Sequence, residues 1–341
     1  MPLKRLSLGR RKMQLIDQLA ARFEVPSKFV EEYMRLNYPN INLEMQSDDW
    51  LLSLSATQHL YATYALSTNQ RAKTVVDDVS SYFDRPPKRH LDIGCGYGGL
   101  LKAFRSEVSI GIEIAPHLAR YTQLNIEDAK CTILNQSVDD VNFSELGYFD
   151  LITCTEVLEH VSNPQRLIKN IAGALSEGGI GYIRVPNGRA IDFIRSDGHF
   201  LLFGICLLDR QEAKEYKRLI TSIEDDYNHM GEYFNYLQYE DWMRSYNLQV
   251  KYIGEDHNFE ILIDEVPSKI RETAVAFEHF LSASKSLPYF TREKLWRNYA
   301  RYQAEFFQSY HAALAGKSSE TPATFLRDWI TNFWAFVVLK K

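Results

Sequence analysis

Apolar residues recur at helical spacing along the first 80 residues of the chain. Pro26 separates two such stretches and permits a new helix to start after it. The spacing predicts four helices, over 12–23, 27–36, 49–54 and 57–82. The run 85–87, Arg-Pro-Pro, then breaks the helical pattern. We therefore expect residues 1–82 to form a helical N-terminal segment that acts as a lid.

Beyond residue 87, short apolar runs alternate with amphipathic stretches. The apolar runs predict strands over 89–93, 108–113, 131–134, 149–154 and 179–185. Such alternation is typical of parallel βαβ units. Two further apolar runs, 248–254 and 258–264, are separated by a short polar turn, so we expect them to pair antiparallel. The sequence thus predicts an α/β fold whose mostly parallel sheet ends in an antiparallel strand.

The remaining segments are additions to this alternating core. The connection 186–247 is too long for a simple crossover and is rich in aromatic residues, so we expect an insertion that selects the substrate. It contains a predicted helix over 209–223. Residues 266–341 are predicted to be a helical C-terminal extension with a loop over 316–321. We expect 329–336 to pack on the core or to form a homodimer interface; a helix that binds a partner or a membrane surface is the alternative.

Composition and charge narrow the class of protein. Of the 341 residues, 45% are hydrophobic and 24% are charged, as in ordinary folded globular proteins. The net charge of −5 argues against a surface that coats nucleic acid. No stretch approaches the ~20 apolar residues of a transmembrane helix, and the basic N-terminus lacks the apolar core of a secretory signal. Four scattered cysteines without a C-x-x-C pair indicate a reduced, cytoplasmic compartment.

The most informative motif is the glycine-rich run that follows the first predicted strand, HLDIGCGYGG at 90–99. Glycine lets the backbone turn tightly and approach a ligand closely, and the following helix N-terminus offers N–H groups to polar ligand atoms. Gly94, Gly96 and Gly99 also satisfy the dinucleotide fingerprint G-x-G-x-x-G, which makes a dehydrogenase an alternative. Asp92, however, is placed to meet the α-amino group of a bound amino acid, which a dinucleotide lacks.

The segment 92–98 resembles the first motif of the class I S-adenosylmethionine-dependent methyltransferases. Three later segments resemble further motifs of that superfamily in order and spacing: 108–113, 149–161 and 175–187. The resemblance covers residues 85–265 and implies a Rossmann-like methyltransferase domain over 83–265, interrupted by the insertion 186–247. It also implies that the ligand lies over the carboxyl ends of the strands, beside the first one.

The same resemblance implies S-adenosyl-L-methionine as cofactor and a set of residues that bind it. Glu113 would accept both ribose hydroxyls; a solvated acid at a strand end is the alternative. Ser137 stands where the family usually places an aspartate against adenine, so that contact would be weaker or come from the backbone. Thr155 would line the methionine moiety, or else serve as a helix N-cap. The implied set is Asp92, Gly94, Cys95, Gly96, Gly98, Glu113, Ser137, Val138 and Thr155.

A second cluster, E-x-x-E-H, follows the fourth predicted strand as Glu156, Glu159 and His160. If Glu156 opens a helix, the other two return to its face, and such carboxylates favour Mg²⁺ or another divalent ion. The pattern resembles ubiquinone-pathway O-methyltransferases and small-RNA 2′-O-methyltransferases, in which it binds a metal, together with a later histidine. His199 is the candidate here, and His229 is next. Two alternatives are that Glu156 and His160 act without metal, with His160 as general base, and that the cluster is structural.

Tyr61, Tyr64, Gln70 and Arg71 lie on the helical segment before the sheet. In related enzymes such a helix folds over the cofactor, and its aromatic residues close the site. Packing in the core is the alternative.

We expect O-methylation of a hydroxyl on a sugar-containing or small aromatic metabolite. Segments 185–187, 197–199 and 207–208 resemble bacterial methyltransferases linked to surface glycans or secondary metabolites. The first alternative is an RNA 2′-O-methyltransferase with a divalent metal, although no basic stripe is available to hold phosphates. The second is a non-catalytic cofactor-binding or assembly subunit, against which the intact acidic and glycine motifs argue.

Overall fold

The computed structural model describes residues 15–40, 47–83, 85–126, 131–221, 232–253, 259–316 and 321–341. The chain forms two compact units. The first contains the residues up to Cys154, with Gly173–Tyr182 and Lys340, and the second contains Thr155–Ala172, Ile183–Leu339 and Lys341. Over the described ranges no helix is both long enough and apolar enough to cross a membrane.

The first unit begins with helices that follow the predicted segments, with one difference. They are α1 (15–23), α2 (Ser27–Asn37), α3 (Ser47–Ser53), α4 (Ala56–Leu66) and α5 (Thr68–Ser80). The single helix predicted over 57–82 is wrong at Ser67, where α4 ends and α5 begins. The break falls in a Ser-Thr-Asn run, residue types whose side chains compete with helical backbone hydrogen bonds. The apolar faces of α1 to α4 form one buried core around Phe29 and Trp50.

The sheet of the first unit contains all five of the predicted parallel strands. They are β1 (Arg89–Ile93), β2 (Val108–Ile112), β3 (Cys131–Leu134), β4 (Phe149–Thr155) and β5 (Leu175–Pro186), whose first part lies here. Their order is β3-β2-β1-β4-β5. The register places Leu91 of β1 opposite Ile110 of β2 and Ile152 of β4, so the centre of the sheet is apolar. The connecting helices are α6 (Gly99–Phe104), α7 (Pro116–Ile126) and α8 (Phe143–Leu146).

The second unit contains both helices and strands. Its helices are α9 (Pro164–Ala174), α10 (Ile191–Arg195), α11 (Arg210–Thr221), α12 (Tyr236–Ser245), α13 (Phe259–Ala283), α14 (Tyr289–Leu314) and α15 (Pro322–Phe325). The later part of β5 is followed in strand order by β7 (Phe333–Lys340) and then β6 (Leu248–Ile253). Tyr299, Phe306 and Trp329 belong to a buried aromatic core inside this unit.

Two predicted elements are wrong. Of the strand predicted over 258–264, residues 259–264 are helical, because α13 starts at Phe259; residue 258 lies outside the described residues. The extension after residue 266 is helical as far as Leu314, but its end, 333–340, is strand β7 rather than a helix. Seven consecutive residues of β7 are apolar, several of them aromatic or β-branched, and five are buried, as expected of an internal strand. The fold class itself is confirmed: over the described residues the strands number seven, mostly parallel with one antiparallel edge.

Candidate functional site

The glycine-rich loop between β1 and α6 uses conformations that other residues rarely adopt. Gly94, Gly96 and Gly98 have φ values of 71°, 51° and 78°, in the left-handed region. An added Cβ at Gly98 would lie 2.8 Å from Thr122 Cγ2 of α7, and one at Gly99 would overlap the Thr68 carbonyl of α5. The loop therefore needs glycine both for its turn and for its close packing.

Most of the loop's amides are held by the chain itself. The N–H groups of Gly94 and Cys95 donate to the carbonyl of Ile112, over 2.8 and 3.0 Å. The Gly98 N–H donates to the Cys95 carbonyl over 2.8 Å. The Cys95 side chain is buried, where desolvation raises the pKa of its thiol well above the ordinary value. Its Sγ lies so close to Gly111 that an added Cβ there would be 2.7 Å away. These bonds tie the loop to the end of β2.

Glu113, directly after β2, connects to the same loop through its carboxylate. Its Oε2 accepts the Gly96 N–H and its Oε1 accepts the Ala115 N–H, both over 2.9 Å. The residue is 6% exposed, so the alternative of a solvated acid at a strand end is wrong. The structure therefore presents a buried carboxylate at the position where the sequence predicts a ribose contact.

Asp92 on β1 is fully surrounded by protein. Its Oδ1 accepts the hydroxyl proton of Thr153 on β4 over 2.6 Å, and the Thr153 oxygen lies 2.8 Å from Nε2 of His90. Burial raises the pKa of Asp92 to about 7, against the effect of the Thr153 hydrogen bond. Burial also lowers the pKa of His90 to about 3, which keeps that ring neutral.

Side chains of the N-terminal helices pack on the glycine loop, and a role of these helices as a lid stays a prediction. Tyr97 in the loop stacks on Tyr121, and the Tyr64 ring of α4 meets Tyr97 edge-on at 6.5 Å. The Arg71 guanidinium lies 3.6 Å from the centre of the Tyr64 ring. Gln70 instead donates to a carbonyl of α1. Tyr64 and Arg71 thus lie near the loop within this unit.

Ser137 and Val138 follow β3 in a short turn. The Ser137 Oγ accepts the Asp139 N–H over 3.2 Å and caps the 3-10 helix Val138–Asp140. Both residues are half-buried. A role for them at the adenine stays a prediction.

The E-x-x-E-H segment lies in the second unit and is not helical. The prediction that Glu156 opens a helix is wrong, as is that of Thr155 as an N-cap, because α9 begins only at Pro164. Proline at a helix start and an Asn163 side chain that accepts the Arg166 N–H set that boundary.

The chain instead turns sharply after β4. Glu156 has a φ of 58°, in the left-handed region. The His160 N–H then donates to the Val157 carbonyl over 2.9 Å, which closes a tight turn. Glu159 and His160 converge through this turn rather than through helical periodicity.

Three of the four predicted metal ligands lie together. Glu159, His160 and His199 each place a ligand atom within 4.8 Å of the other two. The Glu159 carboxylate is fully buried, 3.7 Å from His160 Nε2, and its oxygens accept no hydrogen bond from the described residues. Burial raises its pKa to about 8. Burial also lowers the pKa of His199, although Asp197 and Glu156 oppose that effect.

The fourth predicted ligand, Glu156, does not belong to this cluster of ligand atoms. Its carboxylate forms a short ion pair with Arg184 of β5, and the Arg184 guanidinium lies 3.7 Å from the centre of the Phe333 ring. Glu156 is thereby neutralised by a cation. His229, the second candidate for the later histidine, lies outside the described residues.

Asp197 shapes the loop beside this cluster, a contribution that the motif reasoning missed. It is completely buried and accepts the N–H groups of His199, Phe200 and Leu202 over 2.9, 2.8 and 2.9 Å. These bonds fix the loop that carries His199. The available signal was the Ser-Asp-Gly-His sequence, because aspartate in such a run commonly caps the backbone that follows.

The sequence matches the profile of a family described as a methyltransferase domain over residues 66–253, more than half of the chain. The chain belongs to this methyltransferase family. The dehydrogenase alternative is therefore wrong. The match includes the glycine loop, Asp92, Glu113 and the E-x-x-E-H segment.

Similar proteins of known name point the same way. Ubiquinone biosynthesis O-methyltransferase of Xanthomonas oryzae pv. oryzae strain PXO99A is 36% identical over 117 residues, which are 33% of this chain and 48% of that protein. The protein of the same name from Xanthomonas campestris pv. campestris strain B100 is 33% identical over the same shares. The chain thus spans about half the length of the curated relatives it matches.

Solved structures resemble the chain more weakly. The plantazolicin methyltransferase BpumL, in complex with SAH, is 16% identical with a TM-score of 0.43, over 85% of this chain and 93% of that one. CalS10, an amino pentose methyltransferase from Micromonospora echinaspora solved with SAM bound, is 19% identical with a TM-score of 0.32, over 38% of this chain and 56% of that one.

Proposed function

We propose that this chain is an S-adenosylmethionine-dependent O-methyltransferase that acts on a hydroxyl of a small molecule. The observation that carries the proposal is the cluster of Glu159, His160 and His199 in a chain of the methyltransferase family. Methyl transfer is an in-line displacement at a sulfonium, and a hydroxyl is a poor nucleophile until its proton is removed. Imidazole and carboxylate groups supply that deprotonation. The names of the Xanthomonas relatives support an O-linked product.

The cofactor would be held by the first unit. Asp92 supplies a carboxylate for the α-amino group of S-adenosylmethionine. Glu113 accepts two backbone N–H groups, yet a carboxylate has about four acceptor positions, so it retains capacity for the ribose hydroxyls. Ser137 and Val138 would contact the adenine. Thr155 ends β4 but belongs to the second unit, and its role at the methionine moiety is a separate proposal.

A divalent cation fits the cluster of the second unit. One carboxylate and two imidazoles form a mixed oxygen and nitrogen donor set, and the buried Glu159 oxygens accept no hydrogen bond from the described residues. Such an ion lowers the pKa of a hydroxyl bound to it and orients that hydroxyl. Glu159 must lose its proton to take part, and Asp197 holds the loop of His199 in place. Glu156, paired with Arg184, would serve the acceptor rather than the ion.

Without a metal, the same side chains still support proton transfer. The imidazole of His160 would accept the hydroxyl proton, and the Glu159 carboxylate, 3.7 Å away, would stabilise the resulting imidazolium. The two mechanisms differ in their response to chelation, because only the first needs an ion.

The test is transfer of tritium-labelled methyl from S-adenosylmethionine to three acceptor classes: phenols, sugar-containing metabolites and RNA. We expect a methylated small molecule as the product. The Glu159→Gln and His160→Ala variants should not form it. The control variant His279→Ala, which changes an exposed histidine of α13, should form it as wild type does. Activity lost after EDTA and restored by Mg²⁺, Mn²⁺ or Zn²⁺ supports the metal; activity unchanged after complete metal removal contradicts it. Methylated RNA as the sole product, or cofactor binding without any product, would contradict the proposed function.

We also propose a homodimer through the C-terminal helices, in the cytoplasm. Tyr289 and Trp296 lie two turns apart on one face of α14 and are 71% and 60% exposed, which is unusual for large aromatic side chains. The four cysteines, all within the described residues, are reduced. Analytical ultracentrifugation should show a dimer that Trp296→Glu dissociates; a monomeric wild type would refute the proposal.

A further inference from the structure

Three buried polar side chains form a hydrogen-bonded chain inside the first unit. His90 and Asp92 lie on β1, with Thr153 opposite them on β4. The Thr153 oxygen lies 2.8 Å from His90 Nε2 and 2.6 Å from Asp92 Oδ1. All three residues are almost completely buried. Buried polar groups are costly unless their hydrogen bonds are made, and these two hydrogen bonds offset that cost.

The direction of each hydrogen bond follows from counting protons. The Thr153 hydroxyl has one proton and donates it to the Asp92 carboxylate. It can then only accept from His90, so Nε2 of that ring carries the proton. The other ring nitrogen has no hydrogen-bond partner among the described residues, and the ring meets Phe104 edge-on at 5.1 Å. An apolar neighbour suits a neutral ring, and His90 acts as a fixed donor.

We infer that His90 and Thr153 are positioning residues that hold the Asp92 carboxylate ready for the α-amino group of S-adenosylmethionine. The inference rests on the proposed role of Asp92 in cofactor binding. His90 prevents the Thr153 hydroxyl from rotating away, and the hydroxyl stabilises the charged form of Asp92. The motif 92–98 begins at Asp92 and includes neither partner.

The charges around Asp92 explain why it needs this support. Burial disfavours its charged form, and the negative charge of Glu113 raises its pKa further. The Cys95 thiol is neutral because burial raises its own pKa. The Thr153 hydrogen bond is the influence that lowers the pKa of Asp92. Without it, more of the carboxyl is protonated near neutral pH, and an ammonium group would meet a neutral acid.

The experiment compares two ligands by titration calorimetry between pH 5.5 and 8.5. S-adenosylhomocysteine carries the α-amino group, whereas 5′-methylthioadenosine lacks it. Wild-type affinity for S-adenosylhomocysteine should fall as pH drops through about 7, the pKa of Asp92. Thr153→Val should weaken S-adenosylhomocysteine about tenfold at pH 7 and move this fall to higher pH, because a hydrogen bond to a charged group is lost. The affinity for 5′-methylthioadenosine should stay within about twofold of wild type, because no interaction with that ligand is lost.

Further variants separate positioning from a loss of structure. Thr153→Ser keeps the hydroxyl and should restore the wild-type pH profile. His90→Leu removes the donor and should shift the profile as Thr153→Val does, whereas His90→Gln retains an N–H at a similar position and should shift it less. Equal weakening of both ligands in Thr153→Val and His90→Leu would overturn the inference.

Asp92→Asn distinguishes the inference from the proposal on which it rests. If this variant binds S-adenosylhomocysteine as wild type does, the proposed role of Asp92 fails. If it binds weakly while Thr153→Val and His90→Leu keep the wild-type pH profile, Asp92 binds the cofactor without help from its neighbours, and only the inference fails.

Discussion

Asp197→Asn tests whether one buried carboxylate holds the loop that carries His199. In the wild type, Oδ2 accepts the N–H groups of His199 and Phe200, and Oδ1 accepts that of Leu202. Asparagine has one acceptor oxygen. Its best arrangement keeps the two bonds at the Oδ2 position and turns its NH₂ group towards the Leu202 N–H, so that two donors face each other.

The size of the effect follows from these three bonds. A hydrogen bond to a charged group contributes roughly 1.5–3 kcal/mol, a neutral one about 1 kcal/mol, and a buried unsatisfied donor costs about 1–3 kcal/mol. Losing one bond and weakening two therefore removes about 3 kcal/mol or more from the free energy of opening this loop. Amide exchange through local opening should then be about 100-fold faster, since each 1.4 kcal/mol is a factor of ten.

Hydrogen exchange of the amides of His199, Phe200 and Leu202 measures this directly. Asp241→Asn, an exposed aspartate on α12, is the matched control and should leave these rates unchanged. Methyl transfer should also fall in Asp197→Asn, because His199 loses its fixed position. The reasoning is refuted if the three amides exchange within about threefold of the wild-type rate, because that difference is below 1 kcal/mol.

Two further substitutions test packing and buried charge. Gly99→Ala brings a Cβ to 2.6 Å from Thr68 Oγ1 and into the Thr68 carbonyl, so it should destabilise the protein by roughly 1–3 kcal/mol. Gly173→Ala, in α9, places its Cβ in open space and should stabilise the protein by about 0.5–1 kcal/mol. If calorimetric unfolding finds the Gly99→Ala variant more stable than the Gly173→Ala variant, the packing described at Gly99 is contradicted. Since burial raises the pKa of Glu159 from 4.5 to about 8, wild type loses stability as pH rises through this interval. The metal-free Glu159→Gln variant should not lose stability in this way. A difference in melting temperature between wild type and variant that stays constant from pH 4.5 to 9 would contradict the buried carboxyl.

The sequence predicted the sheet better than the site because strands and loops leave different signals. The strands β1–β5 alternate with helical stretches along the chain, and such alternation indicates parallel βαβ units. The run in β7 is apolar, but a continuous apolar stretch fits a buried helix as well as an internal strand. Length and neighbours decide between them, and the neighbours of β7 are far away in sequence.

In the site, too, one sequence pattern fits more than one local structure. The spacing of Glu156, Glu159 and His160 suits one face of a helix, yet a turn brings the last two together equally well. The Ser-Asp-Gly-His sequence indicates a capping role for Asp197, but it does not show that the side chain binds three backbone amides. Thr153 and His90 were missed since each is an ordinary strand residue until the register of β1 and β4 is known.

Strand β7 and Glu156 are linked through one cation, Arg184. Phe333 is the first residue of β7, and its ring stacks on the Arg184 guanidinium of β5. The same guanidinium holds the Glu156 carboxylate. An interpretation that makes 333–340 a helix does not reveal this contact, and it leaves Glu156 among the predicted metal ligands. In the structure, the Arg184 guanidinium contacts the Phe333 ring and pairs with Glu156, which leaves Glu159, His160 and His199 as the proposed ligand set. A strand that is distant in sequence thus contacts the cation that pairs with one acid of the local motif, and no local pattern could predict that pairing.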